Sequence, residues 1–259
     1  EAERLALHTL VDAPITVSGI PPQAPRADDE RPLLVPHDLE GFQVLDAPRE
    51  TLDTLLRDHP GSRVQDPVSS RPVAATADLK PTRILDACAG RGTKTRQLRA
   101  LHPDARIFAA EIDAERLKVL RATSRNDPKT TVVGFSELLQ MTEPFDLIVL
   151  DVPCSNTGVL ARRVEAKYRA NDEAIGRLVE MQRQIIADTV RLLAPGGHLL
   201  YATCSLEPAE NEQQIAWMTH WHPLDVVSQA QHRPTGVPGD PPTRFTDGGG
   251  HAVLRARPA

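Results

Sequence analysis

Aromatic residues and cysteines are scarce in this 259-residue sequence, and it holds no long apolar run. With aromatic residues at 3% of the chain, a core must be built mainly from Leu, Val, Ile and Ala. Three widely spaced cysteines form neither a disulfide framework nor a zinc-binding pattern, so we expect no metal and a reducing compartment. No apolar stretch approaches the ~20 residues of a membrane span, and the first residues lack a signal-like run. These absences favour a cytoplasmic protein that binds no membrane, and we expect a monomer.

A basic excess is also missing. Acidic residues outnumber basic ones by 35 to 30, which gives a formal net charge of −5. A general binder of polyanions normally carries a surplus of Lys and Arg. Any contact with nucleic acid must therefore rest on local basic patches. Because the sequence starts at Glu1, an upstream domain or a partner could supply further affinity.

Residues 1–60 show little regular patterning, and we expect a small N-terminal α+β subdomain or a simple extension there. The apolar spacing predicts a helix at 1–11, a strand at 13–18 and a helix at 48–58, with a proline-rich loop at 21–36. Residues 61–259 are then the catalytic domain.

From Arg83 onward, short apolar runs alternate with amphipathic stretches, as in the β-α-β units of a parallel sheet. The clearest helix, at 172–194, ends at an Ala-Pro-Gly-Gly stop signal, and a Pro/Gly-rich loop follows at 234–250. The pattern predicts an α/β fold with a seven-stranded, mostly parallel sheet and helices on both faces. The predicted strands are 83–87, 106–110, 131–134, 145–150, 198–203, 223–228 and 251–256.

A glycine-bearing turn, from Asp86 to Thr95, joins the first of these strands to the next helix. Gly90 and Gly92 allow the backbone to approach a ligand closely, and the helix start offers free N–H donors. Glu111 lies just past the second strand, where a carboxylate can accept hydrogen bonds from ribose hydroxyls. In this order the two features favour an adenosine-containing cofactor. Each feature alone has a simpler explanation: the glycines could form a plain tight turn, and Glu111 could be a solvated acid.

Each of the three cysteines, Cys88, Cys154 and Cys204, follows a predicted strand. The carboxyl ends of strands in an open α/β sheet border one crevice, so we expect Cys154 and Cys204 to face the same pocket. A thiolate there can act as a nucleophile if its pKa is lowered. The alternative is that these cysteines serve as small buried hydrophobic residues, as free cysteines often do.

The residues around Cys154 and Cys204 resemble a known family. The stretch Asp151-Val-Pro-Cys154-Ser-Asn-Thr-Gly-Val-Leu and the stretch Ala-Thr-Cys204-Ser, followed by Glu210-Asn-Glu, are similar to the paired motifs of the Sun/Fmu (RsmB-type) RNA cytosine-C5 methyltransferases. The glycine turn at 86–95 resembles the cofactor loop of that family. The resemblance implies a class I methyltransferase (Rossmann-like) fold, S-adenosyl-L-methionine as cofactor, and ribosomal or transfer RNA as substrate.

The resemblance also implies roles for single residues. Cys204 is implied as the thiolate that adds to C6 of the base, and Cys154 as the group that assists breakdown of the adduct. Asp151 is implied to hydrogen-bond the N3/N4 edge of the base, and Lys94 to orient the base or the cofactor. A turn-capping Asp151 and a solvated Lys94 are the alternatives. The residues implied to contact the cofactor are Cys88, Ala89, Gly90, Arg91, Gly92, Lys94, Glu111, Ser136 and Asp151.

A basic cluster follows the first cysteine motif. Its members are Arg162, Arg163, Lys167 and Arg169, with Tyr168 among them. These side chains could contact RNA phosphates while the aromatic ring stacks on a base. A solvated protein face accounts for such a run equally well.

Several positions depart from the family pattern. Arg91 and Thr93 stand where the family's cofactor loop has Pro and Gly, and the acid that accepts from the adenine amine is missing after the third strand. Ser136 or Glu137 would have to replace it, because one lost hydrogen bond costs about 1–3 kcal/mol. Two further functions therefore stay open: a catalytically weak RNA-binding relative, and a methyltransferase for a small molecule or a protein side chain.

Overall fold

Strands with apolar side chains on both faces need helices on both sides of their sheet. The computed structural model, which describes residues 2–21 and 33–258, has that arrangement. Within those ranges a seven-stranded, mostly parallel sheet lies between helices, and a four-stranded sheet is formed by residues nearer the N-terminus. The predicted α/β class is thereby confirmed.

The four-stranded sheet is antiparallel, and its strand order is β2-β3-β1-β4. The elements of this region are helix α1 (Ala2–His8), strands β1 (Thr16–Ser18), β2 (Leu34–Pro36) and β3 (Phe42–Leu45), helix α2 (Leu52–Asp58) and strand β4 (Arg63–Val64).

Sequence patterning finds this region only in part. Of the helix predicted at 1–11, the structure has only Ala2–His8. Of the strand predicted at 13–18, only Thr16–Ser18 form a strand. The helix predicted at 48–58 begins with a 3₁₀ turn at Arg49–Thr51 before α2. Strands β2, β3 and β4 are not predicted, because runs of two to four residues are too short to show a period of two.

The proline-rich loop predicted at 21–36 lies mostly outside the described residues, and its last three residues form β2 rather than loop. The division of the chain at residue 60 stays a prediction, although β4 pairs with β1 and so joins the small sheet from beyond that point.

The elements after β4 alternate in the predicted way, and none of the helices in the described ranges is long and apolar enough to cross a bilayer. They are α3 (Pro67–Ala74), β5 (Arg83–Asp86), α4 (Thr93–Leu101), β6 (Arg106–Glu111), α5 (Ala114–Ser124), β7 (Thr130–Gly134), α6 (Phe135–Leu138), β8 (Phe145–Asp151), α7 (Ala166–Arg169), α8 (Asp172–Val190), β9 (Leu193–Thr203), α9 (Glu212–Trp221), β10 (Leu224–His232) and β11 (Gly249–Ala256).

The strand order of the large sheet, β10-β11-β9-β8-β5-β6-β7, fixes the position of the crevice. From β5 the chain moves outward through β6 to β7, and it then returns to place β8 on the other side of β5. Among the strands of this large sheet, only β11 runs antiparallel to its neighbours β9 and β10. Ligands of open α/β sheets bind where the strand order reverses, which here is between β5 and β8.

Alternating side chains of the central strands build a core on each face of the sheet. Leu85 packs on the face that Ile186 of α8 covers, and Ile84 packs on the face that Leu98 of α4 covers; all four are fully buried. Burying side chains of this size stabilises a fold by roughly 1.5–3 kcal/mol each. The strand ends that carry the site are therefore held rigidly.

Helix α8 begins where Asn171 accepts a hydrogen bond from the backbone N–H of Ala174 at 2.9 Å. The predicted end at residue 194 is wrong, since the helix stops at Val190. The backbone N–H of Phe145 donates to the carbonyl of Leu192 at 2.8 Å, which draws the next residues into β9. Because these residues pair with β8, they do not continue the helix, and the Ala-Pro-Gly-Gly segment lies in β9.

The last two strands also extend further than predicted. β10 runs to His232 and β11 begins at Gly249, which shortens the Pro/Gly-rich loop predicted at 234–250. Within that loop, Pro242–Arg244 form a 3₁₀ turn and Thr235 pairs with Thr246.

Asp86 ends β5 and is fully buried. One carboxylate oxygen accepts a hydrogen bond from the Thr95 hydroxyl at 2.7 Å, and the other has no partner among the described residues. Burial raises the pKa of Asp86 to about 7, because it outweighs the opposite effect of the Thr95 hydrogen bond. The folded state favours the protonated acid, so this contribution to stability is full below about pH 4 and is lost as the pH rises through 7.

Asp86→Asn keeps the shape of the side chain and an acceptor for Thr95 but cannot ionise. We predict that the variant and the wild type have similar unfolding free energies near pH 4. Near pH 8 the variant should be the more stable by on the order of 2–4 kcal/mol. Urea unfolding across this range measures the difference, and Asp104→Asn, at an exposed carboxylate, controls for the lost charge. A difference that stays constant with pH would contradict the account.

Candidate active site

A cleft of about 870 Å³ opens at the carboxyl ends of the parallel strands, where β5 and β8 lie side by side. Its position agrees with the reversal of strand order described above. The cleft brings together four residues from the ends of three strands, β5, β8 and β9. They are Cys88, Asp151, Cys154 and Cys204.

The Sγ atoms of Cys154 and Cys204 are 3.0 Å apart. β8 pairs with β9 so that Asp151 faces Ala202, and the residues that follow the two strands therefore meet. The backbone N–H of Cys204 donates to the sulfur of Cys154 at 3.3 Å, and the Cys204 thiol lies 3.1 Å from Oδ1 of Asn156. Both cysteines border one pocket.

The two thiols differ in burial. Cys154 is buried and Cys204 is half-buried, and both line the cleft. The hydrogen bond with Cys204, followed by burial, raises the pKa of the Cys154 thiol well above its ordinary value. Cys154 therefore stays protonated at neutral pH, and Cys204 is the more exposed sulfur of the pair.

Lys94, in the first turn of α4, brings a positive charge to the same place. Its Nζ donates to Oδ2 of Asp151 at 2.8 Å and to the Ser69 hydroxyl at 3.3 Å. Burial alone would lower the pKa of Lys94, but Asp151, then Cys204 and Asp86, outweigh it and raise that pKa above its ordinary value. The amine stays charged and places an ammonium group beside the candidate nucleophile.

A buried carboxylate ties both cysteine loops to the core. Glu210 has no exposed surface and ends the 3₁₀ turn Pro208–Glu210. Its oxygens accept hydrogen bonds from the backbone N–H of Ser155 at 3.0 and 3.2 Å, from the Ser155 hydroxyl, and from Nε2 of Gln182 at 2.9 Å. The Ser155 hydroxyl also lies 3.0 Å from that of Ser205. The residue after each cysteine is thereby held in place.

Sequence reasoning misses this network, although one signal was present. Gln182 stands within the apolar stripe of α8, four residues after Leu178 and four before Ile186. A polar side chain on a buried helix face needs hydrogen-bond partners inside the protein. Gln182 finds them in the Pro153 carbonyl at 3.0 Å and the carboxylate of Glu210.

Gly158 allows three loops to meet behind the cysteines. Its N–H donates to the carbonyl of Cys204 at 2.9 Å, and its carbonyl accepts from the N–H of Gly248 at 2.7 Å. A Cβ atom at Gly158 would lie 2.5 Å from the Gly248 oxygen and 2.8 Å from the Cys204 oxygen. Both neighbours are backbone atoms, so only glycine fits without displacing the backbone of Cys204.

The glycine turn forms the other end of the cleft. Gly90 has a left-handed φ of 58°, and its N–H donates to Oε2 of Glu111 at 2.9 Å. Oε1 of Glu111 accepts the N–H of Asp113 at 2.8 Å. Each carboxylate oxygen has a second lone pair that a ligand hydroxyl can use. The same end of the cleft is lined by Cys88, Ala89 and Arg91.

Cys88 lines the end of the cleft that the glycine turn forms. Desolvation, and then the carboxylates of Asp86, Asp151 and Glu111, raises the pKa of the Cys88 thiol well above its ordinary value. The thiol is therefore neutral at physiological pH.

Two residues predicted to contact the cofactor do not line the cleft. Gly92 has a left-handed φ of 87°, and a Cβ atom there would lie 2.8 Å from the Leu120 side chain. Packing of α4 against α5 therefore accounts for this glycine. Ser136 is exposed at the start of α6, and the neighbouring Glu137 accepts the backbone N–H of Gly134 at 2.8 Å.

Two apolar side chains that the sequence does not single out line the cofactor end instead. Ile112 directly follows Glu111 and is 73% exposed, and Phe135 begins α6. Large apolar residues immediately after a strand-end acid or a strand are the signal that could have found them. Their surfaces suit a flat aromatic ligand.

The four basic residues after the first cysteine motif separate into two groups. Nε of Arg162 donates to Oδ2 of Asp247 at 2.7 Å, and its Nη atoms lie 3.6 Å from Asp66 and donate to the Pro14 carbonyl at 2.9 Å. Arg162 is thus held in a structural ion pair while it also lines the cleft, and its contact with RNA stays a prediction. RNA contact stays a prediction for the exposed side chains Arg163, Lys167 and Arg169.

The large sheet with its single antiparallel strand among those described, the glycine turn after β5 and the acid that ends β6 define a class I methyltransferase. The family model for the 16S rRNA methyltransferase RsmB/F matches residues 75–236, more than half of the chain. The chain belongs to this family, and the resemblance carried by the cysteine motifs is confirmed.

Similar proteins include ribosomal RNA small subunit methyltransferase B from two bacteria. The protein from Klebsiella pneumoniae is 38% identical over 164 residues, which cover 61% of this chain and 37% of that protein. The protein from Shewanella oneidensis is 37% identical over 178 residues, which cover 67% of this chain and 42% of that protein. The chain thus spans about two fifths of the length of these curated relatives.

Solved structures share the fold. A methyltransferase homologue from Pyrococcus horikoshii has a TM-score of 0.74 at 21% identity, and the match covers 98% of this chain and 90% of that one. NSun6 from Pyrococcus horikoshii, solved with SFG, has a TM-score of 0.64 at 22% identity, with 83% and 57% covered. At these identities the likeness shows the fold alone.

S-adenosyl-L-methionine is the cofactor of this family, and the cleft fits it. Glu111 keeps acceptor capacity for ribose hydroxyls, Ile112 and Phe135 offer apolar walls, and Gly90 allows close approach of the backbone. Neither Ser136 nor Glu137 replaces the missing acceptor for the adenine amine. We therefore expect adenine to be bound mainly by apolar contact.

Gly158→Ala should destabilise the fold by about 2–3 kcal/mol, because the added methyl group meets two backbone carbonyls. Gly176→Ala is the matched control, since a Cβ at this position of α8 meets nothing within 4 Å. That change should stabilise the helix by roughly 0.5–1 kcal/mol. Urea denaturation measures both, and equal effects of the two substitutions would contradict the close packing at Gly158.

Proposed function

We propose that this chain transfers a methyl group from S-adenosyl-L-methionine to C5 of a cytosine in small-subunit ribosomal RNA, through a covalent adduct on Cys204. The main support is the pair of sulfur atoms 3.0 Å apart beside the Lys94–Asp151 ion pair, in the cleft that also holds the glycine turn. The names of the curated relatives support ribosomal RNA as the substrate. A monomer acting in the cytoplasm remains our prediction.

The chemistry explains the need for a thiolate. C5 of cytosine is a weak nucleophile toward a methyl group. When a sulfur adds to C6, the ring becomes an enamine-like species whose C5 is electron-rich, so that one difficult step becomes two easier ones. An amino-acid residue with a soft, ionisable side chain is required within reach of C6, and Cys204 meets that requirement.

Asp151 and Lys94 handle the charge that this addition creates. As the Cys204 sulfur bonds to C6, the C5–C6 electron pair moves into the ring toward N3 and O2. The Asp151 carboxyl group can hydrogen-bond the N3/N4 edge, and the Lys94 ammonium holds Asp151 in position at 2.8 Å. The bound cofactor would supply an electrophilic methyl group: C5 forms the new bond with its own electron pair, and the electrons of the carbon–sulfur bond that breaks stay on the cofactor's sulfur.

Cys154 acts when the adduct breaks down. After methyl transfer the proton on C5 passes to a base from the solvent that reaches the cleft. The electrons of that C–H bond form the C5–C6 double bond again, and the C6–sulfur bond breaks. The pair of electrons leaves with the sulfur of Cys204. Cys154, a neutral thiol 3.0 Å away, can donate a hydrogen bond to the departing thiolate.

Variants of the three cysteines test this division of labour. We predict that Cys154→Ala accumulates an RNA adduct that survives denaturation, because release is slowed. Cys204→Ala should form no adduct and should lose methyl transfer by at least about 10³-fold. Cys88→Ala, at a thiol that lines only the cofactor end, should form no stable adduct. Denaturing gels with labelled small-subunit ribosomal RNA show the adduct.

The outcomes separate the candidate functions. If Cys154→Ala accumulated no adduct, and Cys204→Ala formed none either, the covalent mechanism would be excluded. Failure of the chain to bind S-adenosyl-L-methionine in a calorimeter would favour a catalytically weak RNA-binding relative. Bisulfite sequencing of ribosomal RNA from cells with and without the gene identifies the cytosine, and an unchanged pattern would favour a small-molecule or protein substrate.

A further inference from the structure

A second pocket, of about 440 Å³, lies directly behind the first cysteine loop. It shares four wall residues with the large cleft: Cys154, Asn156, Arg163 and Met181. Met181 projects from α8 and is 50% exposed, so it stands between the two openings. A ligand that occupies both pockets must pass the catalytic sulfurs.

The second pocket combines a basic rim with an apolar floor. Three arginines line it, Arg163, Arg169 and Arg177, against a single carboxylate in the lining, that of Glu165. The floor is formed largely by apolar side chains from α7, the residue that follows it and α8. These are Ala166, Ala170, Ala174, Ile175 and Leu178.

The ion pairs at the rim are exchangeable. Glu165 lies 3.3 Å from Arg169 and 3.9 Å from Arg163, so one carboxylate serves two guanidinium groups. The side chains of these arginines are 73% and 62% exposed. Exposed pairs of this kind contribute little to stability, so a phosphate group can replace the carboxylate as their partner.

We propose that this second pocket binds the nucleotide next to the target cytidine in a single RNA strand. The base would lie on the apolar floor and its phosphate would lie among the three arginines. The volume is at the lower end of the roughly 300–1,000 Å³ of small-molecule sites, which suits one nucleotide and excludes a duplex. The proposal rests on the proposed function, because it requires an RNA base at Cys204.

Occupation of both pockets imposes a condition on the substrate. Two neighbouring bases would point in different directions, one toward the sulfur pair and one behind the cysteine loop. Bases can separate in this way only when they are unstacked and unpaired. The chain should therefore select cytidines in single-stranded or locally opened RNA.

Filling the pocket tests the proposal. Ala174→Trp places an indole ring on its floor, and Ala187→Trp, at an exposed position of the same helix outside both pockets, is the matched control. With a short oligocytidylate as the probe, Ala174→Trp should weaken binding roughly tenfold or more, and the control should not change it. Calorimetry should show the same affinity for S-adenosyl-L-methionine in both variants.

The salt dependence of binding tests the phosphate contact separately. Arg169→Ala should reduce the slope of log affinity against log salt concentration by roughly 0.7, the value for one phosphate of a single strand. Arg121→Ala, at an exposed arginine of α5 outside both pockets, should leave the slope unchanged. A purely structural role of Arg169 would not move this slope.

Two results would contradict the assignment of the second pocket to RNA. Equal RNA affinities of Ala174→Trp and the wild type would overturn the assignment of the pocket. A poly-aspartate peptide whose binding Ala174→Trp abolishes, with RNA affinity unchanged, would assign the pocket to acidic peptides instead. Methyl transfer to RNA by the wild type is measured alongside, and its absence would count against the proposed function rather than against the RNA affinity of this pocket.

Discussion

The buried carboxylate of Glu210 is the interaction on which the site depends. It accepts hydrogen bonds from Ser155 and Gln182, and so links the loop after β8, the turn after β9 and helix α8. A buried acid without such partners would be costly, since desolvation disfavours it. With them, the carboxylate fixes the backbone beside both cysteines. Sheet pairing brings the two loops close, and the hydrogen bonds of Glu210 join the loop after β8 to the turn after β9.

The same arrangement makes two chemically identical side chains unequal. Cys154 lies on the protein side of the contact, where the neighbouring thiol and burial keep it protonated. Cys204 lies on the cleft side, within the field of Lys94. In the proposed mechanism, a nucleophile and a hydrogen-bond donor thus arise from one residue type by position alone. This inequality links the topology of the sheet to the proposed covalent mechanism.

The features that sequence reasoning found are those fixed by short-range pattern. Apolar runs predicted the strands of the large sheet, and their ends predicted that Cys154 and Cys204 share a crevice. The features that could not be predicted from the sequence depend on packing between distant segments. Gly92 faces α5 rather than a ligand, Arg162 is held by carboxylates far along the chain, and α8 ends where pairing with β8 begins. Contacts of this kind produce no periodic pattern of residues in the sequence, so the sequence does not predict them.

The central claim is that one sulfur of the pair is reactive because the other stays protonated. Limited alkylation of the folded chain with iodoacetamide at neutral pH, followed by peptide mass spectrometry, measures the rate at each cysteine. The account predicts that Cys204 is labelled first, and that Cys154 and Cys88 react substantially later. Labelling of Cys154 as fast as or faster than Cys204 would contradict it.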